Sequence, residues 1–246
     1  MAFARSIKRI MNDVNELRKE PIDGVGIYQC EDNLKHIYVV IAGPKDSAYQ
    51  DGLYFFEFYF PDDYPHNPPK GKFLNWQNSI VRMHPNMYID GKLCFSFLGT
   101  WEGPSWTSAM SLTTIILGIQ SIMDDNPLKN EPGYEKNCDS SEHNKYKRVV
   151  QYYNYRDFIG KSLESIYKSA EIIKEHNSYV SYFKQFIIDY YLKNRFIITS
   201  QLEKLLDLYP TRTNLSTAYQ STTAVLNYPD LSVEIKKKLE LMSGSL

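Results

Sequence analysis

The chain has 246 residues, of which 43% are hydrophobic and 23% are charged, and its formal net charge at pH 7 is −1. This length suffices for one globular domain plus an extension or for two small domains, and the balanced charge gives no basic field that would indicate nucleic acid or a membrane as a partner. Its three cysteines show no CxxC spacing, which argues against a metal site and a disulfide framework and favours a reducing compartment, the cytoplasm or the nucleus.

The amino-terminal segment predicts an amphipathic helix over residues 3–19. Ile7, Ile10, Val14 and Leu17 follow helical spacing and form one apolar face, while Pro21 ends the pattern because it has no amide hydrogen to donate. The first ten residues contain no apolar core of signal-peptide length. No run of about 18 apolar residues follows, so no membrane span is predicted.

Four strand-like segments follow this helix. The first three cover residues 25–29, 35–42 and 53–60, are rich in β-branched and aromatic residues, and are separated by turn-forming residues. Residues 72–76 are a fourth candidate. The short connections between successive segments favour an antiparallel meander.

A proline-rich loop and several helices complete the pattern. Residues 60–70 hold four prolines, whose fixed φ angles predict a stiff exposed loop. A helical pattern starts near residue 107 and ends near residues 124–127. Helical periodicity returns over about residues 145–207, and a last short helix is predicted over residues 233–242. Candidate caps for the first of these helices are Thr107, Ser108 and Ser111.

One cysteine follows a clear turn signal. Asp90-Gly91 predicts a tight turn, since glycine tolerates positive φ. Residues 92–98 then read as an extended run, and its alternation puts Cys94 on the more polar side, within reach of solvent. A lone cysteine is more often a small buried hydrophobic residue than a nucleophile. The residues around it in the sequence must therefore indicate whether it is reactive.

Those neighbours carry the functional signal. His84-Pro85-Asn86 precedes Cys94, the segment Gly91-Lys92-Leu93-Cys94 has the spacing Gly-x-x-Cys, and Trp106 follows. In this arrangement the chain resembles the ubiquitin-conjugating enzymes, whose pattern is His-Pro-Asn, then Gly-x-x-Cys, then a downstream tryptophan. The long segment between Cys94 and Trp106, and residues 130–135, resemble more narrowly the conjugating domains of large hybrid conjugating/ligating enzymes of the BIR-repeat type.

The resemblance and the element pattern together predict an α+β fold. It comprises an N-terminal helix, a four-stranded antiparallel meander, an active-site loop and then helices, with a C-terminal helical extension. Residues 1–147 are predicted to form the catalytic domain, and residues 148–246 a helical extension packed on it.

The resemblance implies an enzyme that accepts ubiquitin from the activating enzyme as a thioester on Cys94 and transfers it to a substrate lysine. The implied partners are ubiquitin, the activating enzyme, protein substrates and, where one is needed, a ubiquitin ligase. No bound cofactor or metal is implied, because ATP is consumed upstream. Two alternatives stay open: a catalytically silent ubiquitin-binding module, although such variants lose the cysteine, and conjugation of a related modifier.

The resemblance also implies roles for residues around Cys94. Asn86 matches the residue whose amide stabilises the tetrahedral oxyanion, although asparagine after proline is also common in turns. His84 matches a structural hydrogen-bonding residue, and a catalytic role for it is the less favoured reading. Pro85, Gly91 and Trp106 match residues that support the site.

Three further sets of residues match surfaces that face partners in the family. The set for docking to the activating enzyme, for which an ordinary solvated helix face is the alternative, is Arg5, Lys8 and Arg9. The set on the ligase-facing loops is Pro65, His66, Pro68, Trp106 and Ala109. His66 stands where many members have an apolar or aromatic residue, which departs from the pattern for RING-type ligases. The candidates beside the acceptor lysine, among which the sequence does not decide, are Asp139, Ser140, Ser141 and His143.

Overall fold

A computed structural model describes residues 2–76, 79–136, 138, 140–167, 178–221 and 223–244 of the chain. The helices are α1 (Ala2–Lys19), α2 (Leu112–Ile122), α3 (Ser141–Tyr153), α4 (Gly160–Ser165), α5 (Lys184–Leu208) and α6 (Tyr228–Gly244). The strands are β1 (Val25–Gln29), β2 (His36–Ala42), β3 (Leu53–Tyr59), β4 (Lys70–Leu74), β5 (Thr213–Ser216) and β6 (Thr223–Leu226). The α+β fold and the C-terminal helical extension predicted from the sequence are confirmed.

Helix α1 packs through the apolar face that its sequence predicted, with Ile10, Val14 and Leu17 buried. The same buried side also carries a charged residue, Asp13, which is only 2% exposed. Its carboxylate accepts hydrogen bonds from Tyr64 in the proline-rich loop and from the backbone N–H of Leu112 at 3.3 Å. Asp13 therefore ties α1 to that loop and to the first turn of α2, where a negative charge is favourable.

The four-stranded sheet has the order β1-β2-β3-β4, and every neighbouring pair is antiparallel, as predicted. Strand β4 begins at Lys70 and ends at Leu74, whereas the sequence predicted residues 72–76. The shift arises because Lys70 and Gly71 pair with Tyr59 and Phe58 of β3, which extends the ladder toward the proline-rich loop.

Both faces of β3 are covered. On one face Tyr54 stacks on Phe158 with ring centroids 4.2 Å apart. On the other face Phe55 contacts Tyr179 and Phe183, which belong to the C-terminal part of the chain. This two-sided burial explains why β3 is almost entirely apolar and aromatic instead of alternating.

Helix α2 begins at Leu112, later than predicted. Ser111 forms a capping box with Thr114, so the cap is Ser111, and the earlier candidates Thr107 and Ser108 are wrong. The physical reason lies in Arg9, whose guanidinium holds the carbonyl oxygens of Ser108 and Met110 at 3.0 and 2.7 Å. These contacts keep residues 107–110 in a turn that precedes the helix.

The C-terminal part is helical over most of its described residues, but it consists of several separate helices and not of the long helical segment predicted over about residues 145–207. After α3 the chain forms a π-helical stretch at Asn154–Ile159, where the Asn154 amide binds the Tyr54 hydroxyl and the Gln50 carbonyl. The antiparallel β5-β6 pair was not predicted, and α6 is longer than residues 233–242.

The boundary predicted between residues 147 and 148 lies inside α3, and the division into domains there stays a prediction.

Candidate active site

The predicted turn at Asp90-Gly91 is present and requires glycine. Gly91 has φ +93°, and a Cβ on it would lie 2.6 Å from the carbonyl oxygen of Phe73 in β4. The Gly91 carbonyl accepts a hydrogen bond from the Phe73 N–H at 2.8 Å, and the Tyr88 N–H donates to the Lys92 carbonyl across the turn. The turn therefore binds the backbone just before Cys94 to strand β4 at the edge of the sheet.

Asn86 and Cys94 form a hydrogen-bonded pair beyond this turn. The Cys94 N–H donates to the Asn86 carbonyl at 3.0 Å, and the Asn86 side-chain Nδ2 donates to the Cys94 carbonyl at 2.5 Å. An isolated bridge between Met87 and Leu93 continues the pairing. The side-chain amide predicted to serve the oxyanion thus lies at the cysteine, bound to that residue's own backbone.

The predicted solvent-facing position of Cys94 is wrong, because the residue is only 3% exposed. The run is still extended at Phe95, but Leu93, Cys94 and Phe95 are all buried, so both of its sides are covered here. Residues 96–98 form a 3₁₀ turn, and the Phe95 N–H binds the Thr100 hydroxyl at 2.9 Å, so the two-residue alternation of sides does not persist.

The segment between Cys94 and Trp106 folds back toward Ser96. A Cβ placed on Gly103 would lie 3.0 Å from the Cβ of Ser96, which shows how closely the two stretches approach. Residues 99–105 are themselves exposed. This segment therefore approaches Ser96, two residues after Cys94, and has no regular secondary structure after the 3₁₀ turn.

His84 is fully buried and accepts a hydrogen bond from the backbone of Asn86, the residue that pairs with Cys94. Its Nδ1 accepts the Asn86 backbone N–H at 2.9 Å. Burial, with a smaller contribution from the positive charge of Arg82, lowers the pKa of His84 to about 3. The imidazole is therefore neutral near pH 7, with Nδ1 unprotonated, which suits a structural acceptor and not an exposed general base.

Arg82 supports the same loop, and sequence reasoning missed it. Its guanidinium donates to the Pro85 carbonyl and lies over the Tyr88 ring, with the guanidinium carbon 3.4 Å from the ring centre. The Arg82 carbonyl in turn accepts a hydrogen bond from the Tyr146 hydroxyl of α3 at 2.6 Å. No sequence signal marked these residues, because their partnership joins a loop to a distant helix.

Trp106 joins the two predicted ligase-facing loops. Its indole Nε1 donates to the Pro65 carbonyl at 2.7 Å, and the side chain is half-buried. His66 and Ala109 are exposed, and Pro68 is half-buried. The structure thus brings the two loops together, and their binding to a ligase stays a prediction.

The three basic residues of α1 have different surroundings. Arg5 and Lys8 are exposed. Arg9 is held by the Asp13 carboxylate at 2.7 Å and by the backbone carbonyls before α2. Arg9 is therefore an internal link between α1 and α2, which leaves Arg5 and Lys8 as the exposed members of the predicted docking set.

The four acceptor-side candidates also differ. Asp139 lies outside the described residues. Ser140 caps α3 by accepting the His143 N–H at 3.4 Å, and the buried His143 ring binds Asn126 Oδ1 through Nδ1 at 2.6 Å. Ser141 is exposed at the first position of α3. Among the described candidates, Ser141 alone has a solvent-facing position.

The described residues contain neither a metal-binding cluster nor a helix suited to crossing a membrane. Within them, no group of three or more His, Cys, Asp or Glu side chains is arranged to hold a metal ion. None of their helices combines the length and the apolarity that crossing a bilayer would need.

Comparison with known proteins gives several related sequences. The protein named ubiquitin-conjugating enzyme E2 Z from Xenopus tropicalis is 34% identical over 205 residues, which covers 81% of this chain and 64% of that protein. The Homo sapiens protein of the same name is 37% identical over 148 residues, covering 60% of this chain and 42% of its own length. A probable ubiquitin-conjugating enzyme protein 17 from Caenorhabditis elegans is 36% identical over 148 residues, covering 58% of this chain and 20% of that protein.

The chain thus spans less than two thirds of the length of each of these relatives. The matches do not support the narrower resemblance to the BIR-repeat hybrid type. Residues 9–154, more than half of the chain, match the family described as ubiquitin-conjugating enzyme. With the fold and the arrangement of His84, Asn86 and Cys94 in place, this match shows that the chain belongs to the ubiquitin-conjugating enzyme family.

Proposed function

We propose that the chain is a ubiquitin-conjugating transferase that carries ubiquitin on Cys94 and passes it to a lysine amine. The observation that carries the proposal is the Asn86–Cys94 hydrogen-bonded pair in a chain of this family. In the first step the Cys94 thiolate attacks the thioester carbonyl on the activating enzyme, whose own thiol leaves. In the second step a lysine amine attacks the new thioester, the C–S bond breaks, and an amide forms as the amine loses its proton.

Asn86 is proposed to stabilise the oxyanion of the second step. Attack on the thioester puts negative charge on the former carbonyl oxygen, and a side-chain amide held beside the cysteine is a suitable donor. Loss of one such donor slows measured acyl-transfer enzymes by about 10²–10³-fold. His84 supports this role indirectly, because its neutral ring fixes the Asn86 backbone.

The proposed partners are ubiquitin, the activating enzyme, protein substrates and, where one is needed, a ubiquitin ligase. The exposed Arg5 and Lys8 on α1 support docking to the activating enzyme. The bond between Trp106 and Pro65, with His66 exposed nearby in sequence, supports a ligase-facing surface. ATP would be consumed upstream, and this chain would contribute the thiol without a bound cofactor.

The burial of Cys94 favours a second candidate, a catalytically silent ubiquitin-binding module. A residue that is 3% exposed cannot exchange a thioester until the groups that cover it move. The proposed transferase therefore requires the surroundings of Cys94 to open. A silent module would bind ubiquitin without ever forming the adduct.

A loading assay separates these functions. The chain is incubated with activating enzyme, ubiquitin and ATP, and an adduct that reducing thiols release is sought by electrophoresis and mass spectrometry. Cys94→Ala should abolish the adduct. Cys30→Ala and Cys138→Ala are matched controls that remove half-buried cysteines, and both should load normally.

Three outcomes would redirect the proposal. An adduct that survives Cys94→Ala would remove Cys94 from the chemistry. Binding of free ubiquitin without any adduct would establish the silent module. Loading that occurs only with a related modifier and its own activating enzyme would change the cargo while keeping the mechanism.

A further inference from the structure

The C-terminal hairpin is anchored beside α3 through the turn between its strands. We define the hairpin as β5, β6 and the turn at Tyr219–Ser221. The Tyr219 N–H donates to Glu142 Oε1 at 2.8 Å, and the Tyr219 hydroxyl donates to Glu131 Oε2 at 3.0 Å. The side chain is almost fully buried. One residue of the C-terminal part is thus held by two carboxylates of the part that matches the family.

The buried ring of Tyr219 leads to α3. It meets Tyr146 edge-on, with ring centroids 4.9 Å apart and an interplanar angle of 75°. Burial raises the pKa of Tyr146 well above its ordinary value, so the hydroxyl keeps its proton and remains a donor. That hydroxyl donates to the Arg82 carbonyl at 2.6 Å.

Arg82 connects Tyr146 to the loop that contains Pro85 and Asn86. Its carbonyl is held by Tyr146, its guanidinium donates to the Pro85 carbonyl, and it also lies over the Tyr88 ring. Pro85 directly precedes Asn86, whose amide binds the Cys94 carbonyl. A continuous series of contacts therefore runs from the hairpin turn to the residue proposed to stabilise the oxyanion.

We infer that Tyr219 and Tyr146 are positioning residues for transfer from Cys94, and that the hairpin is part of the support of the active site. Tyr219 restrains the Tyr146 ring, the Tyr146 hydroxyl fixes the Arg82 backbone, and the Arg82 guanidinium fixes the peptide before Asn86. The inference rests on the proposed thioester function. It adds a hairpin outside the family-matched residues 9–154 to the elements on which that function depends.

The first test uses Tyr146→Phe, which removes one hydroxyl and keeps the ring against Tyr219. The matched control is Tyr191→Phe, because the Tyr191 hydroxyl is also buried and donates to a backbone carbonyl, that of Phe158, at 3.1 Å. Both variants are loaded with ubiquitin, freed of activating enzyme, and mixed with increasing concentrations of free lysine. Thermal unfolding midpoints are measured in parallel.

Both substitutions should lower the unfolding midpoint, since each removes a hydrogen bond donated by a buried tyrosine. Tyr146→Phe alone should slow the maximal discharge rate by about fivefold, the factor that one typical hydrogen bond contributes. The lysine concentration for half-maximal rate should stay unchanged, because no contact with lysine is removed. Equal discharge rates for Tyr146→Phe, Tyr191→Phe and the unchanged chain would overturn the inference.

The second test addresses the hairpin itself. Tyr219→Ala removes the ring that touches Tyr146, and Leu226→Ala removes a buried side chain of β6 in the same hairpin. Slower discharge in Tyr219→Ala only would support the specific contact. Equal slowing by both variants, or by neither, would overturn it.

Failure of the inference differs from failure of the proposed function. If the unchanged chain forms no thiol-sensitive adduct at Cys94, the proposed function fails and the inference fails with it. If the unchanged chain loads and discharges, and Tyr146→Phe matches it at every lysine concentration, only the positioning role is lost.

Discussion

The buried imidazole of His84 makes the stability of this protein depend on pH in a calculable way. Its Nδ1 must stay unprotonated to accept the Asn86 N–H, and burial lowers its pKa to about 3. An unfolded histidine titrates near 6.5. Below that pH the unfolded chain binds a proton that the folded chain does not, so this residue favours unfolding increasingly as the pH falls from about 6.5 toward 3.

The size of the effect follows from the two pKa values. Between about pH 7.5 and pH 5, the difference in proton binding lowers the free energy of unfolding by about 2 kcal/mol. At pH 3 and below the loss levels off at about 4–5 kcal/mol. Above pH 7 the contribution is close to zero, since neither state then binds the proton.

His84→Asn isolates this contribution. The asparagine Oδ1 replaces Nδ1 as the acceptor for the Asn86 N–H, while the titrating group is removed. The smaller side chain should lower the stability at every pH, because it leaves a cavity. The denaturant-derived free energy of unfolding should nevertheless fall by about 2 kcal/mol less than that of the unchanged chain between about pH 7.5 and pH 5.

Tyr49→Phe is the matched control for a simple loss of stability. The Tyr49 hydroxyl donates to the Met83 carbonyl beside His84, at 2.9 Å, and its loss removes no group that titrates below pH 7. Its stability curve should lie below that of the unchanged chain and run parallel to it. Parallel curves for His84→Asn and the unchanged chain would refute the buried, neutral state of His84.

Two further predictions concern the reaction. Asn86→Ala should still load ubiquitin but discharge the thioester to free lysine about 10²–10³-fold more slowly in single-turnover assays, and equal discharge would remove Asn86 from the mechanism. Reversing the charges of Arg5 and Lys8 to Glu should slow loading by about fivefold at low salt and weaken its salt dependence. Reversal of Arg18 and Lys19, which are also exposed on α1, is the control, and the docking assignment is wrong if both pairs behave alike.

Local sequence patterns predicted the helices, strands and turns correctly where these depend on residues close together in the chain. The apolar face of α1 required only the spacing of Ile10, Val14 and Leu17. The sheet order followed from short connections between β-rich segments, and the turn at Gly91 followed from its residue type. Each of these predictions depends on neighbours along the chain, which the sequence displays directly.

The errors share a different cause, because they involve contacts between distant segments. Alternation placed Cys94 on an exposed side, yet Leu93, Cys94 and Phe95 are all buried, so both sides of the segment are covered. The helix pattern grouped Arg9 with the exposed Arg5 and Lys8 as a docking set, which stays a prediction, and it did not indicate that carbonyls about a hundred positions away hold Arg9. The β5-β6 hairpin was missed because its four-residue strands are too short to show a clear alternation.

The position of Asn86 reconciles its structural and catalytic interpretations. A side-chain amide has two N–H donors. One of them binds the Cys94 carbonyl, which fixes the amide at the cysteine before any substrate arrives. In the proposed mechanism the other donates to the oxyanion on the tetrahedral carbon that is bonded to the Cys94 sulfur, while the first bond stays in place. A donor already oriented in this way loses little freedom when charge develops, which is the condition under which such groups accelerate acyl transfer most. In the proposed mechanism the Asn86 amide therefore both fixes the loop and stabilises the oxyanion. The contacts from Tyr219 to Pro85 matter for both roles, because they hold the backbone that carries this amide.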